Sequence, residues 1–420
     1  MLTPRTLSLW IAGALALSCG AASAAPFTFN ARQDAMGGAG VSTANYLSAP
    51  FYNPARLAMS AKDDQAGFML PVIGAEVFDK DDLVNKADDF SDTYDEFQSA
   101  YDAFSANPST EKAQRLIDAN AKATAELQQL QGAAGYARAG AGASVALPFD
   151  LVSTALFFNG YADVQAFTDV SMNDFTTYDY NGVALTVPVD ENDMESQAVG
   201  MAAAVTDFGL SLAKSFAGDG MVWSLGVTPK LQKLEVYNYV VNAASTEFGD
   251  ITDDQYRREK SAFNMDLGVA ADWNNGWSGG LAVKNLFKQT LDSPVTSNVM
   301  STYELNPVPT ASVAYHLAGL LFTSDLDLVA QKRFTGLTGT HNTYHAENDD
   351  LQAWSLGAEW DVLGWLQLRG GYRHDLKSNL DDAITAGVGL SPFKVFHFDL
   401  AGLYAGSNEF GASLQTSFTF

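Results

Sequence analysis

The end of the chain alternates strictly: Phe410, Ala412, Leu414, Thr416, Phe418 and Phe420 are separated by Gly411, Ser413, Gln415, Ser417 and Thr419. Successive side chains of a β-strand point to opposite sides, so this period of two gives one apolar face and one polar face. The same period runs through Phe263-Met265-Leu267-Val269-Ala271-Trp273, with Asn264, Asp266, Gly268, Ala270 and Asp272 between. It returns in Trp223-Leu225-Val227, Trp354-Leu356-Ala358-Trp360, Leu366-Leu368-Gly370-Tyr372 and Phe396-Phe398-Leu400, whose intervening residues are Gly, Ser, Gln, Glu, Asp, Arg or His. A soluble sandwich would have to cover each apolar row with a second apolar layer, and the chain supplies none. A barrel closed on itself in lipid satisfies both faces and leaves no backbone edge unpaired.

Turn signals divide the chain into fourteen strands, near 66–78, 137–148, 151–167, 196–216, 221–241, 260–274, 277–289, 303–317, 320–334, 351–362, 364–376, 382–391, 394–406 and 409–420. The count is even. Alternate connections are short (Pro148-Phe149-Asp150, Ala217 to Gly220, Asn274-Asn275-Gly276, Gly319, Leu363-Gly364, Pro392-Phe393), and most of the others are longer and acidic. This is the asymmetry of short periplasmic turns and longer outer loops. Trp223, Trp273, Trp277, Trp354, Trp360, Trp365, Tyr372 and Tyr404 fall near the ends of the apolar rows, where interfacial girdles belong. The expected fold is therefore all-β, a 14-stranded antiparallel transmembrane barrel spanning residues 66–420.

Composition narrows what such a barrel meets. The 420 residues carry a formal charge of −25, which repels a phosphate backbone and excludes nucleic acid as a partner. Residues 1–24 join Arg5, an apolar run from Leu7 to Leu17 and the small residues Ala22, Ser23 and Ala24, and read as a secretory signal. Cys19 offers lipoprotein processing as the alternative, although Ala16 stands where a Leu is usual. Ordinary cleavage removes the sole cysteine, and with it disulfide, Cys-zinc and thiol redox chemistry. No later stretch is long and apolar enough for a membrane helix.

Residues 26–60 do not alternate and contain Arg32, Ala35-Met36-Gly37-Gly38-Ala39-Gly40 and Asn53-Pro54-Ala55, in which Asn-Pro punctuates a turn. On composition a flexible periplasmic tail is the bland alternative for them. The Ala-Met-Gly-Gly-Ala-Gly stretch, the Asn53-Pro54-Ala55 triplet before the first strand, the fourteen strands and the terminal Phe together resemble the FadL-type family of outer-membrane transporters for hydrophobic compounds. Within that group the chain is most similar to the TraF-type conjugal transfer proteins, with Val283-Lys284-Asn285-Leu286-Phe287 as a further shared phrase; the thioredoxin-like F-plasmid protein of similar name has no counterpart here. The resemblance implies a bacterial outer-membrane location and a hatch of residues 26–60 folded inside the barrel, with Arg32, Met36, Gly37, Gly38, Asn53, Pro54 and Ala55 as its working residues. It implies Phe418 and Phe420 as the assembly signal read by the barrel assembly machinery, and lipid and lipopolysaccharide as surroundings. It also implies a kink in the third strand where a bound hydrophobe leaves sideways, for which Asn159-Gly160 is the candidate.

One region departs from strand periodicity. From Leu83 the apolar residues fall at Ala87, Phe90, Tyr94, Phe97, Tyr101 and Phe104, and Ala113, Leu116, Asn120, Ala123, Leu127 and Leu130 repeat the spacing. These seams predict an antiparallel helical hairpin over 79–131 in the first outer loop, with Asn107 as N-cap and Pro108 at the first position of the second helix. Between Asp79 and Phe104 stand nine acids and two lysines, which read either as a solvated face or as a contact surface.

No nucleophile elbow, phosphate loop or zincin motif is present, and no cofactor is implied. His341 and His345 sit in a polar loop without a third ligand, and the doublets Asp81-Asp82, Asp253-Asp254 and Asp349-Asp350 have no EF-hand spacing, so no metal site is read. Asp266, Lys284, Glu359, Arg369, Arg373 and Asp399 occupy polar-face positions and are expected in the lumen. The expectation is a passive outer-membrane conduit for small hydrophobic compounds, not an enzyme. The alternative is a surface interaction protein in conjugative contact, using the acidic hairpin.

Overall fold

The computed structural model describes residues 28–59, 65–180, 182–188, 193, 195–242, 253–340, 349–393 and 395–420. The signal segment and the pair His341 and His345 lie outside the described residues. Fourteen strands close into one antiparallel barrel. In chain order they are β1 (Gly67–Phe78), β2 (Ala134–Leu147), β3 (Ser153–Asp169), β4 (Gln197–Gly218) and β5 (Met221–Asn242). Then come β6 (Arg257–Trp273), β7 (Trp277–Lys284), β8 (Val308–Leu317), β9 (Leu320–Asp327) and β10 (Ala353–Asp361). The last four are β11 (Leu366–Asp375), β12 (Ala383–Leu390), β13 (Phe396–Gly406) and β14 (Glu409–Thr419). Every expected strand is found, and each pairs with its sequence neighbours in the wall.

Aromatic side chains gather at the seam between the first and last strands. β1 pairs with β14 from Gly67↔Thr419 to Phe78↔Glu409. Phe418 stacks on Phe68 at 4.7 Å between ring centroids, and the backbone N–H of Phe420 donates to Ala66 at 2.8 Å. The terminal phenylalanines thus sit where the barrel closes.

Outside, the apolar rows form a continuous belt. Phe263, Leu267, Val269 and Trp273 of β6 are exposed, whereas Asn264 and Asp266 between them are buried in the lumen. Trp273, Trp277, Trp360 and Trp365 ring the end carrying the short turns, and Trp354 and Tyr404 mark the other. Large apolar side chains facing outward around a closed sheet require lipid as their solvent, and the chain is an outer-membrane barrel.

Three expectations are corrected. The alternation at 277–289, 303–317 and 320–334 extends past the wall: β7 stops at Lys284, β8 starts at Val308 and β9 stops at Asp327. The chain turns out of β7 at Asn285, which adopts φ 53°, and Gln289–Asp292, Met300–Leu305 and Phe334–Thr338 pair with one another as a separate three-stranded sheet. A period of two reports strand but not which sheet owns it.

Second, β3 has no kink at Asn159-Gly160. It pairs residue by residue with β2 (Gly142↔Asn159, Ala141↔Gly160) and with β4 (Asn159↔Asp207, Gly160↔Thr206), so no bulge or gap opens there. The Asn159 side chain is engaged instead by the Thr28 hydroxyl, which donates to it at 3.1 Å. A ladder complete on both edges leaves the backbone nothing to bend around. Among the described residues the register shifts in the wall lie in β1, between Met69 and Val72, and in β13, between Tyr404 and Gly406.

Third, the helix start is displaced. Helices Leu83–Ala106 and Thr110–Leu130 pack through Phe97, Ala113, Leu116 and Ala123. The second is capped by Ser109, whose hydroxyl accepts from the N–H of Lys112 at 3.3 Å, while Asn107 ends the first helix. Ser109 takes the extended conformation a cap needs, which leaves Pro108 in the connection rather than in the helix. At their base the helices bury Leu83, Ala87, Leu127 and Leu130 against Ala137 of β2 and Val164 of β3.

Candidate functional site

Residues 28–59 lie inside the barrel and touch the wall on nearly every side. A single helical turn, Ala31–Asp34, leads into Gly37 and Gly38, at φ 72° and 92°. A β-carbon on Gly37 would lie 2.6 Å from the carbonyl oxygen of Tyr372, so both the backbone twist and the close approach demand glycine. The N–H of Gly37 donates to the Thr385 hydroxyl at 2.9 Å, and the Ser355 hydroxyl donates to the Gly37 carbonyl at 2.7 Å. The N–H groups of Gly40 and Val41 both donate to one oxygen of Asp325, at 2.8 Å each. Met36 is fully buried beside the wall.

The Asn53-Pro54-Ala55 turn is a second anchor. Asn53 caps the short 3-10 helix Pro54–Ala58 by accepting from the N–H of Ala55 at 3.0 Å. Its amide donates to the carbonyls of Val41, 2.9 Å, and of Val269 on β6, 3.0 Å, and so ties the inner segment to itself and to the wall. The Ser224 hydroxyl of β5 donates to the Ala55 carbonyl at 2.8 Å. A β-carbon on Gly268 would lie within 1.9 Å of the Asn53 amide oxygen, which explains why the polar faces of these strands are glycine-rich.

Ion pairs complete the packing. Arg32 binds Glu359 through two bonds of 2.8 and 2.9 Å. Arg369 joins Glu359 to Asp399 at 2.6 Å on each side, and Arg56 meets Asp272 at 2.7 Å. Glu76 bridges Arg138 (3.1 Å) and Arg373 (2.9 Å), and Lys230 lies 3.0 Å from both Asp207 and Asp266. The lumen thus holds Asp266, Glu359, Arg369, Arg373 and Asp399 in paired form. Lys284 lies apart, its ammonium 5.2 Å from the centre of the Tyr52 ring.

The loop end of the lumen is occupied by the separate sheet. Val299, Tyr303, Leu305, Phe334 and Leu337 form one apolar core with Phe167, Val199, Met201, Val205, Leu234 and Val236 of β3, β4 and β5. Arg333, fully buried, binds the Asp163 carboxylate through Nε at 2.6 Å and through Nη2. Burial pushes the carboxyl of Asp349, in the loop beside it, up to about 7, opposed by Arg333 and by the N–H of Phe334. Sequence reasoning missed this element: Asp163 is one more polar-face residue in its strand, and its partner is 170 positions away.

Between inner segment and mouth remains a cavity of about 160 Å³, floored by Asp34, Val41 and Tyr52 and walled by Lys284, Val308 and His374. Among the described residues no group of three or more His, Cys, Asp or Glu side chains is arranged to hold a metal.

Residues 50–327 match the family model described as "F plasmid transfer operon, TraF, protein". No curated protein matches the chain. Among solved structures, the Ralstonia pickettii toluene transporter TbuX aligns with a TM-score of 0.53 at 11% identity, covering 94% of this chain and 98% of that one. The P. putida toluene transporter TodX aligns with a TM-score of 0.50 at 12% identity, over 94% and 99%. A Pseudomonas aeruginosa FadL homologue aligns over 96% and 99% at 12% identity, with a TM-score of 0.45. The fold is that of the FadL-like outer-membrane barrels.

Proposed function

The chain belongs to the family described as F plasmid transfer operon, TraF, protein, and from that premise we propose that it is a passive outer-membrane conduit for small hydrophobic compounds, with residues 28–59 as its hatch. The observation that carries this reading is the cavity lying directly on the inner segment, so that the segment is the barrier between that space and the turn end of the barrel. The toluene transporters of like fold supply the cargo class. Because β3 is paired along its whole length, this reading puts no sideways exit at Asn159-Gly160. The chain acts as a channel and not as an enzyme. Its neighbours are lipid, lipopolysaccharide and, at the terminal Phe418 and Phe420, the barrel assembly machinery.

The test is deletion of residues 27–58 behind an intact signal. A lumen of fourteen strands emptied of its filling is wide enough for water. The deleted barrel should still assemble, run faster unboiled on a gel, and show a higher single-channel conductance than the full chain. An assembled deletion variant that conducts no better would sink the hatch reading. Asn53→Ala with Pro54→Ala removes the cap and the turn without emptying the lumen, and should give intermittent openings. In the second reading, recognition by the acidic hairpin in conjugative contact, deleting residues 83–130 would abolish contact while leaving conductance unchanged.

A further inference from the structure

We infer that the outer helical hairpin pairs antiparallel, through the groove between its helices, with the same hairpin of a second copy of this chain presented by a facing membrane. The pairing is independent of the conduit reading and gives the second reading, contact through the hairpin, a partner of stated kind.

The groove has a volume of about 700 Å³ and is lined only by residues of helices Leu83–Ala106 and Thr110–Leu130. No other part of the described chain contributes to it. Its uncharged lining is small, namely Ser99, Ala100, Ala103 and Ala119, so a second helix pair can come close.

The charged lining is ordered along the groove. Lys112 and Arg115 line the end next to the 107–109 connection, which is the tip of the hairpin, and Asp92, Asp95 and Glu96 line the end nearer the barrel. Part of this charge is used within the hairpin. The Lys112 ammonium donates to the carbonyls of Ala103 at 2.9 Å and Asn107 at 3.0 Å, and Lys122 pairs with Glu96 at 2.8 Å. Asp118 accepts from the Gln114 amide at 2.9 Å. Arg115, Asp92 and Asp95 are exposed and have no ion pair among the described residues. One free cation near the tip thus stands apart from two free carboxylates near the root.

That order is complementary to itself in one direction only. At 1.5 Å per residue, Arg115 lies about 8 Å from the tip and Asp92 about 21 Å. Antiparallel packing about a two-fold axis roughly 14 Å from the tip, level with Ala119, carries Arg115 of each copy onto Asp92 and Asp95 of the other. Parallel packing would set Arg115 on Arg115 and Asp92 on Asp92, which like charge opposes. Hairpins standing off one membrane point the same way, so the antiparallel register belongs to copies on two membranes face to face. The chain's formal charge of −25 resists their approach, and many copies on each surface supply the strength that a single pair lacks.

The experiment places the full chain in phosphatidylcholine vesicles, mixes donor-labelled and acceptor-labelled populations, and reads contact as energy transfer. Wild-type vesicles should cluster at low salt and disperse as salt rises. Arg115→Asp and Asp92→Arg should each cut clustering about tenfold or more, while vesicles of one variant mixed with vesicles of the other should return to within about threefold of wild type, because opposite charges then meet in both contacts. Heat-modifiable migration establishes that each barrel has formed. The pairing is overturned if wild type does not cluster, if either single variant clusters as wild type does, or if the mixture stays dispersed. Clustering that is abolished by deleting residues 83–130 but indifferent to both charge variants keeps contact through the hairpin and sinks this pairing.

Discussion

At the loop ends of β3 to β5 the lumen is packed like the inside of a soluble domain around the single Arg333–Asp163 pair, whereas between β7 and β12 it is lined with polar groups and holds a cavity. The strands differ to match. β4 and β5 run for 22 residues each and carry Val199, Met201, Val205, Leu234 and Val236 inward near their loop ends, under the three-stranded sheet. β7, β9 and β12 have 8 residues each and present Ser, Thr, Asp or Lys to the lumen. An inward apolar row needs something to pack against, and the chain provides it by folding its own loop strands into the mouth. An inward polar row needs partners, and the inner segment provides those through Arg32, Gly37 and Gly40. One wall therefore hosts two kinds of interior, and only the polar kind leaves room for a passenger.

The largest test of this contrast is Arg333→Met. It leaves the buried Asp163 carboxylate only the more distant Arg138, 3.9 Å away, and should cost about 3 kcal/mol, read as early loss of the mouth sheet in urea or to protease. Adding Asp163→Asn should recover much of it; a double variant no better than the single would mean that the pair is not the anchor. Next, Met201→Ala, fully buried in the packed half, should cost about 2 to 5 kcal/mol in thermal unfolding. Val308→Ala, beside the cavity, should cost about 1 kcal/mol or less, since space already lies next to it. Equal costs would erase the distinction between the halves.

Two adjacent glycines sharpen the contrast at smaller scale. A β-carbon on Gly371 would lie 2.2 Å from the backbone nitrogen of Gly37, while one on Gly370, on the lipid face, meets nothing nearer than 3.9 Å. Gly371→Ala should cost about 1 to 3 kcal/mol and unsettle the inner segment, visible as conductance flicker; Gly370→Ala should stay within about 0.5 kcal/mol. The smallest effect is on pH. Because burial raises the Asp349 carboxyl from its usual range to about 7, the protonated form is the one favoured in the fold. The mouth sheet is then most stable at acid pH and loses that contribution as pH climbs from about 4 through 7. Protease sensitivity of the 289–338 region should rise over that window in wild type and stay flat in Asp349→Asn.

How much of this was legible in the chain depended on whether the signal was local. The wall was, because lipid on one side and polar filling on the other impose a period of two on each strand, and Phe410 to Phe420 carry it without interruption. Residues 289–305 and 334–338 carry the same period yet leave the wall, since alternation says nothing about which neighbour a strand chooses. Asn53-Pro54 announced a turn by its chemistry, but the carbonyl of Val269 that Asn53 reaches is 216 positions away. Asn159-Gly160 looked like a weak point because glycine often is one; two complete ladders outvote it. Asn107 and Ser109 are both good caps by residue type, and only backbone geometry chooses between them. Parity puts Lys284 in the lumen but does not show that its ammonium lies over the ring of Tyr52.

The seam also has a consequence in time. Phe420 bonds to Ala66, only a few residues beyond the inner segment, and the Tyr46 hydroxyl donates to that same Ala66 at 3.2 Å. Ala66, just beyond the inner segment, and Phe420 of the last strand are therefore neighbours at one edge. A sheet lacking that pairing would be a cleft beside residues 28–59, and the pairing makes it a cylinder around them, so the wall cannot be closed at this seam and then filled through it.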